Sequence, residues 1–113
     1  MVTEGDERRD RPEYALDRIR QLAKSGMVVF GSRRVELDCQ NLNYSPEEIH
    51  ACIANLEPGD FRQSVKYHNR RFWMDEYRLR WRSSAGHLDS LYLKLHLNRD
   101  LIIVILVSFH LNR

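Results

Sequence analysis

The sequence predicts an α+β domain, with helices first and an antiparallel sheet last. Three observations carry this. Apolar residues recur at helical spacing in the first half of the chain, and from Asp60 onward the hydrophobic period changes to two. The segments with period two are joined by short links, Ser83 to Gly86 and Asn98-Arg99-Asp100, which suit hairpins in an antiparallel meander. Helices that precede such a meander pack on one of its faces. A chain of 113 residues supports one moderate core, so residues 12–113 are read as a single domain.

Residues 1–11, MVTEGDERRDR, are mixed in charge and nearly lack large hydrophobes, so they are expected to form a mobile arm. Pro12 suits a first helical turn. Leu16, Ile19, Leu22 and Ala23 then make one stripe until Gly26, which predicts a first helix over about 12–25. MVVF at 27–30 is a candidate strand, and SRRVELDCQNLN is a candidate second helix with Val35, Cys39 and Leu42 on one side. Ser45-Pro46-Glu47-Glu48 predicts a third helix: Ser45 caps, Pro46 takes the first position, and Glu48 stands at the reciprocal place of a capping box. Ile49, Cys52, Ile53 and Leu56 form its buried stripe, and Pro58-Gly59 ends it. Four strands follow, at about 60–67, 72–82, 88–97 and 101–110.

Composition excludes several classes. Charged residues make up 30% and hydrophobic ones 42%, with a formal charge of +2, as in an ordinary globular protein. The two cysteines, Cys39 and Cys52, form no CxxC or Cys/His pattern, so neither a disulfide framework nor a zinc site is expected. The longest apolar run, LIIVILV at 101–107, is far short of the roughly 20 residues of a membrane-spanning helix and is β-branched enough to be a buried strand. With no hydrophobic stretch at the N-terminus to act as a secretory signal, a reduced, cytoplasmic protein is expected.

The functional clue is LYLKLHLN, residues 91–98. Leu91, Leu93, Leu95 and Leu97 alternate with Tyr92, Lys94 and His96. Its hairpin partner, YRLRWR at 77–82, places Tyr77, Leu79 and Trp81 on one face and Arg78, Arg80 and Arg82 on the other. Burying both apolar faces together brings the two polar rows onto one cationic surface. Residues 61–82 hold seven Lys or Arg against Asp75 and Glu76, together with six of the eleven aromatics. Guanidinium groups interleaved with aromatic rings suit single-stranded RNA, whose unpaired bases stack between phosphate contacts. Arg78, Arg80, Arg82, Lys94, His96 and Tyr77 are the candidate RNA-binding residues, although Tyr77 by parity also belongs to the core. A purely solvated basic face is the bland alternative.

Cleaving RNA without a metal needs an acceptor for the 2′-hydroxyl proton, cations for the charged transition state, and a donor for the leaving oxygen. His110 suits proton transfer, because imidazole has an ordinary pKa near 6.5. Tyr92 can orient the phosphate or exchange a proton, and Lys94, Arg80 and Lys66 can hold negative charge. No carboxylate cluster fit for two-metal hydrolysis lies in the basic window, so metal-free chemistry without a cofactor is expected.

DFRQSVKYHNRRFWMDEYRLRW, followed by LYLKLHLNRD and VSFH, resembles the MqsR family of bacterial type II toxins. Members carry a DFxKS segment, a WQDVYR-like segment, an LYLK or VYLK strand and a closing SFK-like strand; LDRIRQLAKSGMV also resembles the family's opening segment. The resemblance spans about 14–110. It implies a RelE-like fold, cleavage of mRNA, no cofactor, and a cognate antitoxin of a kind that often binds zinc and carries a helix-turn-helix domain. Position by position, the family's strand tyrosine and neighbouring lysine fall on Tyr92 and Lys94. Its DFxKS lysine is Gln63 here, with Lys66 three residues on; the glutamine after the tryptophan is Met74; the closing lysine is His110. The expected catalytic set is therefore Tyr92, His110, Lys66, Lys94 and Gln63. The departures at Gln63 and Met74 leave open a degenerate toxin that binds RNA without cutting it, and the basic face leaves open a domain that docks an acidic protein.

Overall fold

The structure is a computed structural model and describes residues 5–112. In chain order it comprises β1 (Glu7–Arg9), α1 (Leu16–Lys24), β2 (Val28–Phe30), α2 (Arg33–Asn41), α3 (Pro46–Ala54), a 3-10 turn (Pro58–Asp60), β3 (Phe61–Lys66), β4 (Met74–Arg82), β5 (Leu88–Leu97) and β6 (Val104–Leu111). The strands make one sheet in the order β1-β3-β4-β5-β6-β2. All neighbours are antiparallel except β2, which runs parallel to β6. This is the expected α+β class and the expected β3 to β6 meander.

One sheet face carries the core. Tyr77, Leu79, Leu91, Leu93, Leu95, Leu97, Val104, Leu106 and Phe109 pack with Ile19, Leu22 and Ala23 of α1, Val35 and Cys39 of α2, and Ile49, Cys52 and Ile53 of α3. Leu91, Leu93 and Leu95 are wholly inaccessible to solvent, which fixes register: a slip by one residue would put the whole row in water. Burial pushes the thiols of Cys39 and Cys52 well above their ordinary range, Cys39 to about 12, so both are protonated core residues. No helix among the described residues is long and apolar enough to cross a membrane.

Four local expectations are corrected, each for a physical reason. Residues 7–9, expected in a mobile arm, form the edge strand β1; Glu7, Arg8 and Arg9 pair with Lys66, Val65 and Ser64. Residues 1–4 of that arm lie outside the described residues. The first helix begins at Leu16 rather than near Pro12, because the buried carboxylate of Asp75 takes the backbone N–H groups of Glu13 (3.0 and 3.1 Å) and Tyr14 (3.1 Å). The last strand begins at Val104 rather than 101. Asn98 Oδ1 accepts from the amides of Ile102 (2.8 Å) and Ile103 (2.9 Å), and Leu101 sits at φ 59°, which curls the first part of the apolar run into a loop. Finally, Ser45 caps α3 as expected, accepting from Glu48 N at 3.1 Å. Glu48 does not complete a capping box there; its carboxylate accepts instead from Trp81 Nε1, Ser84 N and Ser84 Oγ, tying α3 to the β4–β5 turn.

Candidate active site on the open sheet face

The sheet face opposite the helices displays the polar rows. Cross-strand register sets Arg78 opposite Tyr92 and Tyr92 opposite His110; one row along, it sets Gln63 opposite Glu76, Glu76 opposite Lys94, and Lys94 opposite Ser108. Directly opposed residues share a face, so Gln63, Glu76, Arg78, Tyr92, Lys94, Ser108 and His110 form one patch. Arg80 and Ser90, also paired, extend it, with Arg82 beyond. Arg78, Arg80, Arg82 and His110 are exposed, while Tyr92, Lys94 and His96 are half-buried.

At the centre lies a carboxylate. Glu76 is 8% exposed, accepts from Gln63 Nε2 at 3.1 Å, and lies 3.9 Å from Lys94 Nζ. Lys94 Nζ also donates to the phenol oxygen of Tyr67 at 2.6 Å. Burial above all, then the neighbouring Glu76 charge, drives the Tyr92 pKa far above the ordinary tyrosine range. Tyr92 is therefore a neutral donor and not a base. The His110 ring lies against the Tyr92 ring, with centroids 4.6 Å apart and planes at 32°. A carbonyl oxygen only accepts, so the 3.1 Å contact of His110 Nδ1 with Leu111 O places a proton on Nδ1 and leaves Nε2 for exchange.

The patch thus joins a shielded carboxylate, an imidazole, a phenol donor and cations along one surface, a set able to accept a proton, donate one and stabilise an anion. Tyr92, Lys94, His110 and Gln63 from the expected catalytic set come together, as do Arg78, Arg80 and Arg82. Two expected residues do not join them. Lys66 is three positions from Gln63 on the same strand and so faces the other side, where it pairs with Glu7 at 3.8 Å. Tyr77 is wholly buried on the helix face, edge-on to Phe61, with its hydroxyl unpartnered in the structure. His96 lies one row beyond Lys94, stacked on Phe72. Sequence reasoning missed Glu76 and Tyr67. Their alternation with Arg78 and Gln63 was a signal for Glu76, whereas Tyr67 reaches the patch only through the loop after β3. Among the described residues no group of three or more His, Cys, Asp or Glu side chains is arranged to hold a metal ion.

A family model described as "Motility quorum-sensing regulator, toxin of MqsA" covers residues 11–111 of this chain. No curated protein matches.

Proposed function

This chain belongs to the MqsR toxin family, the toxin side of a toxin–antitoxin pair, and on that premise we propose that it is a metal-independent endoribonuclease that cuts mRNA by attack of a ribose 2′-oxygen on the adjacent phosphorus. The observation that carries the reading is the joint presence of Glu76, Tyr92, Lys94 and His110 on one open basic surface. Glu76 accepts the proton of the attacking 2′-hydroxyl. As the oxygen–phosphorus bond forms, the bond from phosphorus to the 5′ oxygen breaks, and His110 Nε2 supplies that oxygen with a proton. The products are a 2′,3′-cyclic phosphate and a 5′-hydroxyl. Tyr92 donates a hydrogen bond to a non-bridging oxygen, and Lys94 and Arg78 offset the added negative charge. Arg80 and Arg82 hold neighbouring phosphates and align the strand.

Gln63, where the family pattern has lysine, is explained by Glu76: an amide beside the carboxylate fixes its orientation without pairing off its charge. The antitoxin, a protein partner that we expect to be zinc-binding with a helix-turn-helix domain, covers this basic face or an exposed sheet edge.

Purified chain incubated with a long unstructured RNA and excess chelator tests the reading. The wild type should cut, and Glu76→Gln and His110→Ala should each lose about 10²- to 10⁴-fold in kcat, the range for one acid–base group. Salt-sensitive binding with no cleavage would select the degenerate-toxin reading, which Met74, 3% exposed where the family pattern has glutamine, favours.

A further inference from the structure

Beside the patch, the loop after β3 folds over the open sheet face and leaves a cleft against the β2–α2 connection. The cavity has a volume of about 270 Å³ and lies between Gly31 and Ser32 on one side and Tyr67, Arg70 and Phe72 on the other, with Met74, His96 and Ile105 also lining it. Its composition differs from that of the basic patch: Met74, Ile105 and Val107 are apolar, and the Phe72 and His96 rings stack at 4.3 Å with planes 28° apart. Tyr67 belongs to both places, since its ring lines the cleft and its hydroxyl accepts from Lys94 Nζ at 2.6 Å.

Resting on the RNA-cleavage reading, we propose that this cleft binds a single unpaired nucleobase of the RNA next to the phosphate that is cut. A flat aromatic ring needs apolar surface, a ring to stack on and a few polar groups at its edge. The Phe72–His96 pair is the stacking platform. Burial lowers the pKa of His96 and outweighs the opposing hydrogen bond of Nδ1 with Leu97 O at 3.1 Å, a bond that fixes the ring in place. Arg70, a donor only, lines the cleft and favours a base edge that presents acceptors. The loop is held by Arg70 N bonded to Tyr67 O at 2.9 Å. On the far wall, Gly31 N bonds to Leu106 O at 2.8 Å, and a Cβ at Gly31 would lie 3.2 Å from both Ile105 Cγ2 and Leu106 O. A larger residue there would push the wall away from the sheet. The Tyr67 to Lys94 bond couples the two places: a nucleotide whose base enters the cleft lays its phosphate toward Lys94 and Tyr92.

An abasic scan tests this on the intact protein. An RNA oligonucleotide containing the mapped cut site is blocked by a 2′-deoxy residue at the cut, and each nearby base is removed in turn. Removing one base adjacent to the cut should weaken binding by about tenfold or more, in line with the value of a base–aromatic stack, and removals elsewhere should cost far less. In Phe72→Leu, which keeps apolar bulk, that position-specific loss should shrink to within about threefold, and His96→Gln should behave alike. Equal losses at every position, or a penalty unchanged in both variants, would overturn the inference while leaving cleavage intact. A wild type that does not cut RNA would overturn the cleavage reading and the inference with it.

Discussion

Asp75 is the residue whose removal should disturb the fold most at least change of volume. It is wholly buried and takes three donors: the Glu13 amide on both oxygens, the Tyr14 amide, and Ser64 Oγ at 2.7 Å. Asp75→Ala leaves both amides without this acceptor and leaves Ser64 Oγ only the longer bond to Met74 O at 3.4 Å. At about 1 kcal/mol for each of the two amide bonds left unmade, the loss is about 2 kcal/mol, with the weakened Ser64 bond and the removal of a desolvated charge acting in opposite directions. For a domain of this size that lowers Tm by about 10 °C. Urea denaturation of the wild type and Asp75→Ala measures the difference, and amide exchange at Glu13 and Tyr14 should rise well beyond that at Leu93. The pH dependence carries a sign. Burial raises the Asp75 pKa despite its hydrogen bonds, so this group's contribution is fully present below the unfolded value near 3.9 and is lost as pH rises through the folded value. Asp75→Ala should remove that slope. A loss below about 1 kcal/mol, with unchanged exchange at residues 13 and 14, would refute the idea that this carboxylate anchors the start of α1.

Lys66 and Lys94 should separate cleanly: Lys94→Ala should lower kcat/KM by 10²-fold or more, while Lys66→Ala, on the opposite face, should stay within about threefold in the same cleavage assay. Tyr77→Phe should leave cleavage unchanged and shift stability by less than about 1 kcal/mol on urea denaturation, because the lost hydroxyl has no partner in the structure. His96 has a lowered folded pKa, so its contribution is present above the unfolded value near 6.5 and falls away as pH drops through the folded value; His96→Gln should flatten stability against pH in that window.

How much was legible in the sequence depends on range. The alternation of residues 91–97 encodes two faces locally, and the need to bury Leu79 with Leu91 brings the Arg and Tyr-Lys rows together. Ser45-Pro46 likewise announces its helix from adjacent residues. What stayed hidden depends on partners far along the chain. Asp75 moves the start of α1 through amides about sixty residues away, and Asn98 redirects two residues that would by propensity extend β6. β2 pairs in parallel with β6, a connection with no local mark. Within the site, Glu76 looked like a minor offset to seven cations, and only the register of β3, β4 and β5 sets it between Gln63 and Lys94. Lys66 was the reverse case: a spacing of three along a strand already opposes it to Gln63, and β3 follows that rule.

The direct test of 2′-oxygen attack is to place one 2′-deoxy residue at the mapped cut in an RNA and compare it with the all-ribose strand in chelator. The all-ribose strand should yield a 2′,3′-cyclic phosphate and a 5′-hydroxyl, and the substituted strand should stay whole at that position. Cutting of the deoxy-substituted link, or products with a 5′-phosphate and a 3′-hydroxyl, would contradict it.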